Sequence, residues 1–80
     1  MFALKKKYFL IIQSIKDIDL RNIKKYNKFS IIYRNKKNTE NIIDLLKFRK
    51  KCKLRLMDFY VANNIKLCVL LNSDGIYLSS

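Results

Sequence analysis

Four side chains in this sequence could gather around an anion: Arg34 and Lys36, two residues apart, and the adjacent amides Asn63 and Asn64. A guanidinium presents a planar fork that matches phosphate oxygens, and an ammonium two positions on supplies a second cation. Such a set stabilises charge; it does not make bonds by acid and base. The chain has no His, which removes imidazole bases, His-ligated metals and Ser/His or Cys/His nucleophile pairs. Cys52 and Cys68 have fifteen residues between them and no CxxC partner, so they read as two buried thiols rather than a zinc or redox motif. No catalytic residue is assigned.

For the cations and amides to meet, the elements carrying them must end side by side. Tyr8–Ile12 is a continuous apolar run rich in aromatic and β-branched types, as in a strand covered on both faces. Phe29–Tyr33, Phe59–Ala62 and Ile76–Leu78 read as three further strands. Between them lie a short helix over Asp17–Tyr26, capped by Asp17 or Asp19, and a longer one from an N-cap at Thr39 to about Lys51. A third runs from a cap at Asn63 or Asn64 to Leu71. In the second helix Ile42, Ile43, Leu45, Leu46 and Cys52 form the apolar stripe. Its Glu40 in the first turn and Arg49, Lys50 and Lys51 in the last suit the helix dipole. Asn72–Gly75 is a turn, with the single glycine placed where a positive φ is expected.

Strands alternating with helices demand parallel pairing and right-handed crossovers, hence an α/β fold. In such sheets chemistry collects at the carboxyl ends of the strands. Gln13, Arg34, Lys36, Asn63, Asn64, Ser79 and Ser80 are therefore expected on one rim.

At 80 residues the chain makes one small domain, and its 50% apolar content is too high for a disordered tail despite a net charge of +12. Residues 1–53 hold sixteen Lys or Arg against four acids, whereas residues 54–80 hold two against two. A basic excess fits nucleic acid, an anionic membrane or a phosphorylated small molecule. It also fits compositional drift, since Lys, Ile and Asn make up 33 of the 80 residues, as an A/T-rich genome would produce. The basic start followed by Tyr8–Ile12 mimics a signal peptide, but five apolar residues are too few. No run approaches the roughly 18 of a membrane span, so a cytoplasmic protein without a membrane partner is expected.

Three stretches carry a family resemblance. They are Ile32-Tyr33-Arg34-Asn35-Lys36, Ala62-Asn63, and Ser73-Asp74-Gly75-Ile76-Tyr77-Leu78-Ser79-Ser80. The chain resembles the amino-terminal half of the thiamine-phosphate synthase (thiamine monophosphate synthase/TenI) family, whose corresponding segments read Gln-x-Arg-x-Lys, Asn-Asp and Ala-Asp-Gly-Val-His-Leu-Gly-Gln. The resemblance implies that residues 1–80 are one incomplete domain of this kind. Its fold would be a partial TIM-type (βα)8 barrel of four parallel strands with three intervening helices. It also implies a transferase of thiamine biosynthesis, which joins hydroxymethylpyrimidine pyrophosphate to thiazole phosphate and releases pyrophosphate. That reaction needs charge stabilisation on the leaving oxygens more than a strong base.

By resemblance Arg34, Lys36 and Asn63 would bind the pyrophosphate of a phosphorylated small-molecule substrate. Mg²⁺ is the implied cofactor, with Asn63 at the position of the family's metal-binding Asp. Asn lacks the charge with which a carboxylate holds Mg²⁺. Ile32 and Ala62 also replace a family Gln and Asn, and the second half of the barrel is not among these 80 residues. The resemblance thus implies a truncated form, inactive alone. Two other readings stay open. One is a small basic nucleic-acid-binding protein, with Tyr26 and Tyr33 as stacking faces. The other is a half-barrel whose unpaired edges are completed by a second copy or by a complementary half-barrel.

Overall fold

Every apolar run that reads as a strand forms one in the computed structural model, which describes residues 8–23, 28–37 and 39–78. The strands are β1 (Tyr8–Ile12), β2 (Phe29–Tyr33), β3 (Asp58–Ala62) and β4 (Gly75–Tyr77), with α1 (Ile42–Leu54) and α2 (Ile65–Leu70) between the later ones. They form an open sheet in the order β1-β2-β3-β4, parallel throughout. Ile12 pairs with Tyr33, Ile32 with Tyr60 and Val61 with Ile76.

The core lies on one face of the sheet. Ile12, Ile31, Tyr33, Phe59 and Val61 pack there against Leu45, Phe48 and Cys52 of α1, Leu67 of α2 and Leu20 of the first crossover. Burying an aromatic or aliphatic side chain of this size contributes about 1.5–3 kcal/mol. Phe59 is the hub: its ring stacks on Tyr33 at 6.2 Å and meets Phe48 edge-on at 6.0 Å. Both thiols are unpaired, as expected. Burial pushes the Cys52 thiol up to about 12, and half-buried Cys68 donates its S–H toward the Gly75 carbonyl at 3.5 Å.

The opposite face corrects the expectation that β1 is covered on both sides. Phe9 and Ile11 are 59% and 61% exposed, because both α-helices return over the other face. Phe9 and Tyr60 lean toward each other across β2 with ring centres 6.5 Å apart, which buries Ser30 beneath them.

Several element boundaries also differ from the sequence reading. The first crossover is no α-helix over its described part: it makes two 3₁₀ turns, Ile15–Asp17 and Leu20–Asn22, and 24–27 lie outside the described residues. Ser14 and Asp17 form a capping box on the first turn, and Asp19 caps the second. Each small polar residue offers its backbone a local bond that competes with a continuous helix. The N-cap of α1 is Asn41 rather than Thr39, its Oδ1 accepting from the Ile43 amide at 2.8 Å. The stripe shifts with it, so Leu45, Phe48, Arg49 and Cys52 are buried while Ile43 and Leu46 are exposed.

Positive φ angles fall at Leu56, Asn63 and Asn72, not at Gly75. Leu56 and Asn72 follow α1 and α2 as left-handed C′ residues. In each case the next amide bonds back five residues: Met57 to the Cys52 carbonyl and Ser73 to the Cys68 carbonyl. Gly75 has a different use, since a Cβ there would stand 3.1 Å from the Tyr60 ring.

Candidate functional site

The parallel register brings the exits of β2 and β3 together, and with them most of the expected rim. The Arg34 amide donates to the Ile12 carbonyl at 2.7 Å, which extends the β1–β2 ladder one residue past the strand. The Asn63 amide does the same across β3–β4, donating to the Tyr77 carbonyl at 2.9 Å, with φ of 57° turning the chain upward into α2. Asn tolerates this left-handed conformation better than most residues. Asn64 then caps α2, its Oδ1 accepting from the Leu67 amide at 3.0 Å.

Arg34, Lys36, Asn63 and Asn64 line a single cavity of ≈ 270 Å³, completed by Asn35 and Ala62. Among the described residues no carboxylate lines it. Arg34 Nε is buried and has no hydrogen-bond partner among the described residues. Lys36 is exposed at the mouth. Gln13 stays out of the cavity: its side chain is solvent-facing and its amide donates to Asp17 at 3.0 Å. Ser79 and Ser80 lie outside the described residues.

The loop carrying Arg34 and Lys36 is held by a cluster that the sequence reading missed. Glu40 does not stand in the first turn of α1; it turns back over the end of the sheet. Its Oε1 accepts from the Tyr33 hydroxyl at 2.6 Å and from the Ile15 amide at 3.1 Å, and its Oε2 accepts from the Ser14 hydroxyl at 3.0 Å. Partial burial disfavours the charged carboxylate. The bonds from Tyr33, Ile15 and Ser14 outweigh it and hold Glu40 below the ordinary carboxylate range. Burial, and then the bond to Glu40, push the Tyr33 hydroxyl well above the usual phenol value. Tyr33 is therefore a buried anchor, which corrects its reading as a stacking face for bases. Tyr26 lies outside the described residues.

The amino ends of β3 and β4 hold a second arginine. Arg49, expected among the dipole-compensating cations, is buried instead. Its Nε donates to the Asn72 carbonyl at 3.2 Å, its Nη2 lies 3.4 Å from Asp74, and its guanidinium sits 5.9 Å from the Phe59 ring centre. Asp74 also accepts from the Phe59 amide at 2.7 Å, tying α1 to β3 and to the turn before β4. Arg49 Nη1 and the Ser73 hydroxyl are buried with no hydrogen-bond partner among the described residues, beside a cavity that Asp58 and Asp74 also line.

A wider cleft of ≈ 560 Å³ runs between the first crossover and α1, floored by Ile18, Leu20 and Phe48. Size does not make it the better candidate. Its charged groups have both signs, and Arg21 on its edge is engaged by Asp19 at 2.9 Å in a pair that holds the Asp19 carboxyl below its usual range. Among the described residues no group of three or more His, Cys, Asp or Glu could hold a metal ion, and no helix is long and apolar enough to cross a membrane. No protein-family model, curated protein or solved structure matches the chain.

Proposed function

We propose that the carboxyl rim binds a phosphate or diphosphate group of a small molecule, without catalysing a reaction on it. The observation that carries this reading is the buried Nε of Arg34, which has no partner among the described residues and lines one small cavity with Lys36 and three amides. A buried polar group is ordinarily satisfied, and an anion satisfies a guanidinium better than water does. The cavity's ≈ 270 Å³ sits just below the roughly 300–1,000 Å³ of pockets for whole drug-sized ligands, so it suits the anionic group alone.

A synthase-like half-barrel is the most specific form of this reading. Four parallel strands in sequential order, their α-helices on one face and an Arg-x-Lys exit after β2 support it. The pocket does not fit Mg²⁺, because two cations and three amides surround the point where Asn63 offers at most one neutral oxygen. Among the described residues the cavity is lined by cations, amides and Ala62, with no carboxylate or imidazole to serve as an acid or base.

Calorimetric titration with pyrophosphate tests the proposal. The wild-type chain should release binding heat, Arg34→Ala should weaken binding tenfold or more, and added salt should weaken both. Absence of heat with the wild-type chain, or equal affinity in the two proteins, overturns the site.

A further inference from the structure

The face of the sheet turned away from the helices is the part of the molecule least suited to water. Phe9, Ile11, Ile32, Tyr60, Ala62 and Tyr77 share it with Ser30 and Asp58, and no Lys or Arg lies on its strands, although the chain carries eighteen such residues. Phe9, Ile11 and Tyr77 are 59%, 61% and 43% exposed, whereas Ile32 and Ala62 are buried within the single chain. Apolar side chains also show on the helix layer, but Leu54 and Ile65 there alternate with Lys51, Lys53 and Lys66. Two copies of a chain with net charge +12 repel one another through most surfaces they could share. The open face is where they can meet without opposing lysines or arginines, its charged residue being Asp58 at the amino end of β3.

Among the described residues both edges of the sheet are also unpaired. The Ile12 carbonyl accepts from Arg34, so side-to-side alternation turns the backbone groups of Phe9 and Ile11 outward along β1. The Tyr77 carbonyl accepts from Asn63, which by the same rule turns Ile76 outward along β4. Exposed edges of this kind recruit another strand unless something covers them.

We infer that a second copy of this chain occupies this face and that the two sheets close into one eight-stranded parallel barrel, each β4 pairing with the partner's β1. Size decides between this arrangement and a simple stack of the two open faces. Strand spacing near 4.8 Å and a rise near 3.3 Å per residue give each face a footprint of only about 300 Å². A standard interface buries about 800 Å² on each partner. Stacking alone therefore falls short and leaves four edges open. Closure adds two backbone ladders, brings the exposed Ile65, Val69 and Leu70 of α2, which packs over β3 and β4, toward the partner, and removes every edge. Eight strands is also the number at which side chains just fill a barrel's interior. Two such faces, mainly apolar with Ser30 and Asp58 toward their amino ends, supply that filling. This inference is independent of anion binding, since the rim cavity is complete within one copy.

Sedimentation equilibrium over micromolar to millimolar protein is the test. The expected species has twice the 9.6 kDa chain mass. Ile11→Lys should raise the dimer dissociation constant about a hundredfold or more, because it leaves an unpaired charge inside the barrel. Ile43→Lys, on the exposed side of α1, should leave it unchanged. Ile11 is exposed in the single chain, so circular dichroism should show Ile11→Lys folded. Should it unfold, Tyr77→Lys serves in its place. Amide hydrogen exchange at Ile11 and Ile76 should slow on dimerisation. A monomer throughout, a dimer indifferent to both face variants, a dimer broken by Ile43→Lys, or fast exchange at both edge amides overturns the inference.

Discussion

The two ends of the sheet each carry a buried or half-buried arginine, and the two are treated oppositely. At the amino end Arg49 faces Asp74 and the Asn72 carbonyl, with Phe59 against its guanidinium. At the carboxyl end Arg34 meets another cation and three amides, and its Nε has no described partner. The same side chain thus serves as a bolt in one place and, on the function proposed above, as an open receptor in the other. What separates them is the local supply of carboxylate. Of the described acids near the rim, Glu40 is spent on Tyr33, Ser14 and the Ile15 amide, and Asp17 on the Gln13 and Ser14 amides.

The sharpest way to break this contrast is to remove the acid that makes Arg49 structural. Asp74→Ala should cost about 2–3 kcal/mol in urea unfolding, since it leaves Arg49 buried without its counter-charge and the Phe59 amide without an acceptor. That figure sits below the range for fully buried pairs because Asp74 is itself partly exposed. An unchanged midpoint would remove the distinction between the two ends. Tyr33→Phe comes next, at about 1–1.5 kcal/mol, by taking away the shortest bond in the Glu40 cluster. Leu56→Gly should act in the opposite direction and stabilise by about 1 kcal/mol, read from the thermal midpoint. Leu56 is held at a φ of 56° and is 80% exposed, so glycine relieves the backbone and loses little packing.

The smallest expected effect completes the contrast. Arg34→Ala should change stability by less than about 0.5 kcal/mol, because nothing in the fold leans on its guanidinium. A loss as large as that of Asp74→Ala would make Arg34 a structural residue. The Glu40 cluster also has a pH signature. A carboxyl whose folded value lies below its free value of 4.5 contributes stability that is fully present above pH 4.5. The contribution disappears as the pH falls through the folded value. Acid unfolding of Glu40→Gln should therefore be shallower than that of the wild-type chain below pH 4.5.

The strands and their parallel order were legible because apolar runs of about five residues alternate with polar, helix-forming stretches. The joining of Arg34, Lys36, Asn63 and Asn64 followed from that order alone. Other features depend on neighbours that no local window contains. Glu40 looks like a first-turn acid until Tyr33 and Ser14 are seen beside it. Arg49 looks like a last-turn cation until the turn before β4 presents Asp74. The expectation of two covered faces for β1 failed because continuous apolar runs also occur in strands with only one covered face. Gly75 drew attention as the single glycine, yet asparagine and leucine took the left-handed positions. The glycine was needed where the Tyr60 ring passes.

Cys52 offers a built-in clock for these movements. With no exposed surface and its proton held far above neutral pH, it should stay inert to alkylating reagents until α1 lifts from the sheet. Half-buried Cys68 should label sooner, through smaller excursions near β4. The lag between the two, followed by mass spectrometry, would time the opening of the core without any introduced probe.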